Sequence, residues 1–211
     1  MKNNEEILVR IVDDDSAIRE TLTYLLTRAG FDCRAYEDAR SFLIEDTPSI
    51  PGCLILDVRM PEMSGLALQS EMNRRGIRMP IVFFSGHGDL AMAVETMRKG
   101  ATTFLQKSVA SEDLLAAVAE AVEISLSREG KRLTDVEVMA RWETLAQREK
   151  DIAFLMGEGK LTSDISRKLE VSAKTIYNYR VEIHRKLMTS TQADIARFVY
   201  RIRQIREHGV G

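Results

Sequence analysis

The chain has 211 residues, of which 45% are hydrophobic and 29% are charged, a composition typical of one or two folded domains. No apolar run approaches the roughly 20 residues that a membrane-spanning helix needs. The first residues are polar and unlike a secretion signal, so we expect a cytoplasmic protein. The net charge of −2 hides an asymmetry, because residues 142–211 hold 13 Lys and Arg against 9 Asp and Glu, whereas residues 1–141 hold 17 against 23. A basic second part permits nucleic-acid binding but does not establish it.

Short apolar runs alternate with helical patterns through about residue 125. The runs predict strands over 7–12, 32–36, 53–57, 81–84 and 103–105. The helical patterns predict helices over 16–29, 38–44, 65–75, 89–99 and 111–126. Five such units indicate an α/β fold with a doubly wound, five-stranded parallel sheet and helices on both faces. In such a sheet, the carboxyl ends of the strands form the edge where chemistry takes place.

Acidic residues follow two of the predicted strands. The first strand ends in Asp13-Asp14-Asp15 and the third ends in Asp57, so both deliver carboxylates to the same edge of the sheet. An acid after a strand is often only a helix cap, and that alternative stays open for the triple-Asp run taken by itself. Clustered carboxylates repel one another and favour a hard cation, Mg2+ (or Mn2+).

The fourth and fifth strands add a hydroxyl and an amine to this edge. Ser85 follows the fourth strand, and Lys107 follows the fifth. Taken singly, Ser85 is more simply a cap and Lys107 a solvated surface group. Together with Asp57 as nucleophile, they suit phosphoryl transfer to a carboxylate, because the metal ion and the lysine offset charge on the phosphoryl oxygens.

Residues 5–125 resemble the receiver domain of two-component response regulators, which has a flavodoxin-like (CheY-like) fold. The matching motifs are Val12-Asp13-Asp14, the block Asp57-x-Arg59-Met60-Pro61-x-Met63-Ser64-Gly65, Ser85-Gly86-His87-Gly88, and Lys107. The resemblance implies that Asp57 accepts phosphate from a partner sensor histidine kinase. It also implies a metal site made of Asp13, Asp14, Asp57 and the backbone carbonyl of Arg59.

Four further residues are expected to act at the phosphorylation site together with Asp57. The resemblance implies that Ser85 binds the new phosphoryl group and that Phe104 is an aromatic switch that turns inward with it. Arg59 and His87 each lie two residues beyond a site residue, and we expect both to tune the lifetime of the phosphate. A solvated turn histidine remains an equal alternative for His87.

One position departs from the family pattern. Ser108 follows Lys107 where the family usually has a proline joined by a cis bond. Because a cis bond to a non-proline residue costs about 2.5–4 kcal/mol, we predict either a trans bond or a strained cis bond here. A trans bond could reposition Lys107 and weaken switching.

After Trp142 every predicted element is helical. The predicted helices are 147–156, 163–169 (capped by Thr162), 173–187 (capped by Ser172) and 192 to about 207. Two helices joined by a short turn indicate a helix-turn-helix. We therefore predict a receiver domain over 1–124, a partly helical linker over 125–142 and an all-α, four-helix helix-turn-helix domain over 143–211.

Residues 142–206 resemble the LuxR/NarL/FixJ type of DNA-binding domain. The matching segments include Gly157-Glu158-Gly159, Val171-Ser172 and Lys174-Thr175-Ile176. The resemblance implies that helix 173–187 enters the major groove of double-stranded DNA. It implies phosphate contacts from Lys174, Arg180 and Arg185, and base-edge contacts from Tyr177, Asn178 and Val181.

A second departure lies before this helix-turn-helix. Ala146-Gln147 stands where the family usually has Thr-Pro, so the helix lacks an N-cap worth about 1 kcal/mol.

The two resemblances together predict a transcription regulator controlled by phosphorylation, and not an enzyme beyond slow autodephosphorylation. Phosphorylation of Asp57 is expected to release the second domain, to assemble a homodimer, or both. Three alternatives stay open: a regulator that uses the same DNA-binding domain without phosphorylation, a phosphatase of the haloacid dehalogenase type, and a module whose helices bind protein. The phosphatase motif fails at Ala17 and leaves residues 142–206 unexplained.

Overall fold

The computed structural model describes residues 7–86, 90–128, 130 and 133–208. It divides the chain into two compact units, Met1–Lys131 and Arg132–Gly211. The division falls inside the segment that the sequence predicted as a linker. Among the described residues, no helix is long and apolar enough to cross a membrane.

The first unit is a parallel sheet with helices between its strands. The strands are β1 (Leu8–Val12), β2 (Asp32–Tyr36), β3 (Gly52–Leu56), β4 (Ile81–Ser85) and β5 (Thr103–Gln106), in the order β2-β1-β3-β4-β5. The helices are α1 (Ser16–Arg28), α2 (Ala39–Glu45), α3 (Gly65–Arg74), α4 (Leu90–Arg98) and α5 (Ser111–Arg128). The predicted fold class is confirmed, and the predicted bounds lie within two residues of the observed ones.

Strand position in the sheet explains the apolar runs. The inner strands β3 and β4 are buried along their whole length, whereas the edge strand β2 exposes three of its five residues. Continuous apolar sequence is what a parallel strand covered on both faces requires. One core lies between the sheet and helices α2 and α3, and includes Val12, Phe42, Leu54, Leu56, Leu68, Met72 and Phe83.

Arg10 is a buried charge within this apolar sheet. Its side chain is fully buried in β1, where Nε lies 3.0 Å from Asp46 Oδ1 and Nη2 donates to the Thr47 carbonyl at 2.8 Å. The Tyr36 hydroxyl also donates to Asp46, at 2.9 Å. Because a buried charge is tolerated only when it is paired and hydrogen-bonded, this network ties the end of α2 to β1.

The second unit is helical. In its described residues it contains α6 (Asp135–Trp142), α7 (Gln147–Gly157), α8 (Thr162–Leu169), α9 (Ala173–Leu187) and α10 (Gln192–His208). Its core includes Val138, Trp142, Ile152, Met156, Ile165, Ile176, Ile183, Leu187, Ile195, Phe198, Val199 and Ile202. The apolar stripe of α10 therefore packs into the core of this unit.

Helix α6 adds a fifth helix to the four that the sequence predicted. The Thr134 side chain accepts from the Glu137 N–H, and the Glu137 side chain accepts from the Thr134 N–H, which makes a capping box. Val138 and Trp142, four residues apart, are buried in the core. Part of the predicted linker is thus a packed helix of the second unit.

The caps of the next helices differ in part from the predictions. Helix α8 begins at Thr162 itself, after Leu161, whose side chain cannot cap, so Thr162 is not the N-cap. Ser172 caps α9 as predicted, accepting from the Thr175 N–H at 3.1 Å. Helix α7 begins at Gln147 without a side-chain cap on Ala146, but the Glu149 carboxylate accepts from the Ala146 N–H at 2.7 Å.

Candidate functional site

Asp13 and Asp57 meet at the carboxyl edge of the sheet because β1 and β3 are neighbours. Val12 pairs with Leu56 in the parallel register, so the residue that follows each strand arrives at the same place. Both carboxylates are buried, at 2% and 4% exposure. Lys107 joins them, since its Nζ lies 2.7 Å from Asp13 Oδ2 and 3.1 Å from Asp57 Oδ1.

The charges of this triad depend on one another. Burial raises the pKa of Asp13, and the hydrogen bond from Lys107 opposes that rise. Burial alone would lower the pKa of Lys107, but hydrogen bonds to Asp13 and Asp57 outweigh it, so the pKa is raised above its ordinary value. Lys107 is therefore a cation that compensates two buried acids.

The bond between Lys107 and Ser108 is trans, since no peptide bond among the described residues is cis. The trans bond does not move the lysine away from the acids. The Lys107 N–H donates to the Ser85 carbonyl at 2.9 Å, which continues the pairing of β4 with β5 and fixes where the side chain starts.

The loop after Asp57 approaches the aspartate closely. A Cβ on Gly65 would lie 2.2 Å from the Asp57 carbonyl oxygen, so glycine is required there. The Arg59 N–H donates to Asp57 Oδ2 at 2.8 Å. The Arg59 side chain is exposed. The loop thus fixes the carboxylate through backbone groups and leaves the arginine side chain in solvent.

Ser85 and Phe104 lie on neighbouring strands beside the triad. Ser85 is 1% exposed at the end of β4. Phe104 is partly buried and stacks on Phe83, with ring centroids 6.5 Å apart and an angle of 25° between the rings. His87, to which the sequence assigned a role in phosphate lifetime, lies outside the described residues.

Arg19 was not among the predicted site residues. From α1, its Nη1 donates to the backbone carbonyl of Asp13 at 2.7 Å. The sequence offers no distinctive signal for this contact, because an arginine in the second turn of an amphipathic helix is usually solvated.

The acidic groups at this edge fit a hard cation in chemistry, since carboxylates offer the oxygen ligands that Mg2+ prefers. Asp13 and Asp57 are buried, whereas Asp14 is exposed. In the described part of the chain, no three Asp, Glu, His or Cys groups already form a metal-binding cluster. Lys107 occupies the position between the two buried carboxylates.

In the second unit, α9 exposes one face to solvent, and this face carries both polar and apolar side chains. The exposed residues on this face are Lys174, Tyr177, Asn178, Val181 and Arg185. The buried residues Ile176, Ile183 and Leu187 lie on the opposite side. At 3.6 residues per turn, the exposed set forms one continuous stripe.

Arg180, for which the family resemblance implies a phosphate contact, lies beside that exposed stripe and not within it. Its side chain is half-buried and its Nη2 donates to Gln192 Oε1, on α10, at 2.9 Å. Burial lowers the pKa of Arg180. Residue 180 lies about 120° around the helix from residue 174, so its side chain meets α10.

Both units match known families. A model of the response regulator receiver domain matches residues 9–119, and a model of the bacterial regulatory proteins of the luxR family matches residues 143–199. Response regulator protein TmoT of Ectopseudomonas mendocina is 35% identical over 95% of this chain and 91% of its own length. Transcriptional regulatory protein FixJ of Azorhizobium caulinodans is 34% identical over 92% of each chain. The structure of response regulator StyR has a TM-score of 0.57 and 34% identity, and covers 92% of this chain and 98% of its own.

Proposed function

Since the chain belongs to the two-component response regulators with a LuxR-type DNA-binding domain, we propose that phosphorylation of Asp57 by a sensor histidine kinase controls its binding to DNA. The observation that carries the proposal is the convergence of Asp13, Asp57 and Lys107 at one buried edge. The trans bond to Ser108 does not argue against it, because Lys107 still reaches Asp57.

Asp57 is the nucleophile in the proposed transfer. One of its carboxylate oxygens attacks the phosphorus of the kinase phosphohistidine and forms an acyl phosphate. The P–N bond breaks, and its electron pair returns to the imidazole, whose other ring nitrogen carries the proton that keeps the leaving group neutral. The Lys107 ammonium, already 3.1 Å from Asp57, offsets the charge that the phosphoryl group brings into a buried site.

Mg2+ (or Mn2+) is the proposed cofactor. Asp13, Asp14, Asp57 and the backbone carbonyl of Arg59 would hold it. The ion supplies charge neutralisation of the phosphoryl oxygens when it is bound. The oxygen-only donor set supports this choice of metal.

Ser85 and Phe104 are proposed to carry the switch. Ser85 binds the new phosphoryl group, and Phe104 turns further inward as Ser85 shifts. The consequence is release of the DNA-binding domain, assembly of a homodimer, or both. The shift between the inactive and the active conformation can be no larger than the difference in free energy with which the phosphoryl group stabilises the two.

The exposed Arg59 side chain, together with His87, is proposed to shield the acyl phosphate from water, so that autodephosphorylation is slow. Arg59→Ala and His87→Ala are each expected to shorten the life of phosphorylated protein, measured as loss of label after the phosphodonor is removed. An unchanged rate in both would contradict this role.

The proposed output is sequence-specific binding of double-stranded DNA through α9. Lys174 and Arg185 contact phosphates, while Tyr177, Asn178 and Val181 face base edges in the major groove. Arg180 is proposed as a third phosphate contact, made from beside the exposed stripe, where its Nη2 also donates to Gln192 Oε1.

Affinity of the full chain for a pool of random duplex DNA tests the proposal, measured with and without a small phosphodonor and Mg2+. We expect the phosphodonor to increase affinity, and Asp57→Asn to abolish that increase. Asp32→Asn is the matched control, because Asp32 is an exposed strand acid far from Lys107 in the strand order. A phosphodonor effect that persists in Asp57→Asn would overturn phosphorylation control, and absence of salt-dependent DNA binding would overturn the DNA-binding output.

A further inference from the structure

Two large apolar side chains stand in solvent in the middle of the exposed face of α9. Tyr177 is 64% exposed and Val181 is 53% exposed. They are four residues apart and therefore adjacent on the helix surface. Neither contributes to the core, which α9 serves through Ile176 and Ile183 on its other side.

The cationic groups of this face lie at its ends. Lys174 stands in the first turn of α9 and Arg185 in the last turns. Arg185 is also paired within the helix, since its Nε donates to Glu182 at 2.9 Å and its Nη2 contacts the same carboxylate. The centre of the face consists of Tyr177, Asn178 and Val181, none of which carries a charge.

This distribution decides which base features the face can recognise. Guanine is usually read by an arginine or lysine that donates to its O6 and N7 atoms. A valine has no donor or acceptor in its side chain, and the only apolar group on the major-groove edge of a base pair is the C5 methyl of thymine. The lysine and arginine at the ends, in a segment with 13 basic and 9 acidic residues over 142–211, favour a polyanion over a protein as the occupant.

We infer that Val181, with Tyr177 beside it, contacts thymine methyl groups. In the preferred DNA half-site, the bases that face the centre of α9 are then thymines rather than guanines. The inference rests on the proposed function, because it requires α9 to lie in the major groove.

Replacing thymine by deoxyuridine tests this contact, because uracil keeps every hydrogen-bonding group of thymine and lacks only the methyl. A site is first enriched from the random duplex pool with the full chain, and each thymine is then replaced singly. We expect at least one replacement to weaken binding about fourfold, the effect of withdrawing one buried methyl-sized group from apolar contact. In Val181→Ala, the same replacement is expected to have no further effect.

Val136→Ala is the matched control for Val181→Ala. Val136 is a 79% exposed valine on α6, in the same unit and outside the proposed DNA face. It is expected to keep the full fourfold effect of deoxyuridine. Fluorescence of Trp142, which is buried in this unit and is the only tryptophan of the chain, verifies that each variant is folded.

The outcomes separate this inference from the proposed function. An enriched site at which every thymine tolerates deoxyuridine would overturn the inference and leave the DNA-binding function standing. An equal deoxyuridine effect in wild type and Val181→Ala would also overturn it, because the methyl would then touch another group. Failure to enrich any sequence would overturn both.

Discussion

The ion pair between Glu149 and Lys186 offers a test of what holds the proposed recognition helix α9 in place. Lys186, on α9, lies 2.7 and 2.8 Å from the two carboxylate oxygens of Glu149, on α7. Glu149 is 5% exposed and also accepts from the Ala146 N–H. We predict that removing either partner destabilises the second unit, and that the two effects are coupled.

The magnitudes follow from the burial of the two groups. Lys186→Met leaves a buried carboxylate with one backbone donor, and breaking a buried pair costs about 3–5 kcal/mol. We expect the lower end, about 3 kcal/mol, because the Lys186 side chain keeps 22% of its area exposed and water can reach the site. Glu149→Gln leaves a lysine that can turn towards water, so its cost is about 1–2 kcal/mol. The double variant contains no unpaired charge, so we expect a coupling free energy of about 2 kcal/mol.

Urea unfolding monitored by Trp142 fluorescence measures these free energies for the second unit, because this unit holds the only tryptophan. The exposed pair of Asp164 and Arg167 on α8 is the matched control, with 39% and 80% of the side chains exposed. Its coupling is expected to stay below about 0.5 kcal/mol. A coupling free energy for Glu149 and Lys186 as small as that of the control pair would refute the argument that burial strengthens the contribution of this ion pair to stability.

Three further predictions use the same unfolding measurement. Ala146→Ser completes the N-cap of α7 and is expected to raise the free energy of unfolding by about 1 kcal/mol. Glu170→Gly is expected to raise it by about 1 kcal/mol, because Glu170 has a left-handed backbone (φ 53°) that favours glycine. Burial, and then the charge of Arg180, lowers the pKa of His184. The unfolded chain therefore binds a proton more readily than the folded unit, so acidification below about pH 6.5 is expected to destabilise the unit, and His184→Gln to lessen that loss.

Each of these predictions has a contrary result. A lower urea midpoint in Ala146→Ser would mean that the first turn of α7 has no free N–H group for a hydroxyl to satisfy. A lower midpoint in Glu170→Gly would mean that the Glu170 side chain makes a contact worth more than the backbone strain. An identical dependence on pH in wild type and His184→Gln would mean that the imidazole protonates equally in both states.

The fold of the first unit could be predicted from the sequence because its strands are covered on both faces. Apolar runs such as Ile81–Phe84 end at polar residues, so the sequence pattern indicated both the strands and their carboxyl ends. The meeting of Asp13 with Asp57 followed from that pattern together with the usual strand order. Contacts such as that of Arg19 with the Asp13 carbonyl could not be predicted, because a backbone acceptor carries no sequence signature.

Two features of the second unit, its first helix and the orientation of Arg180, were harder to predict. The capping box of Thr134 and Glu137 precedes Val138 and Trp142 at helical spacing, and these signals could have identified α6. The polar residues around Gly130 obscured them. The orientation of Arg180 could not be predicted, because a residue at the border of a helix face turns towards whichever neighbour tertiary packing supplies, here Gln192.

The position of Lys107 between two buried acids has a consequence for how the protein behaves without divalent ions. The amine supplies positive charge to Asp13 and Asp57 from within the chain, so folding of the first unit is expected to tolerate a chelator, and circular dichroism in EDTA should match that in Mg2+. An ion that is not needed for folding can exchange freely with the surrounding solution. Magnesium availability would then set how fast the protein acquires phosphate, and not how much folded protein is present.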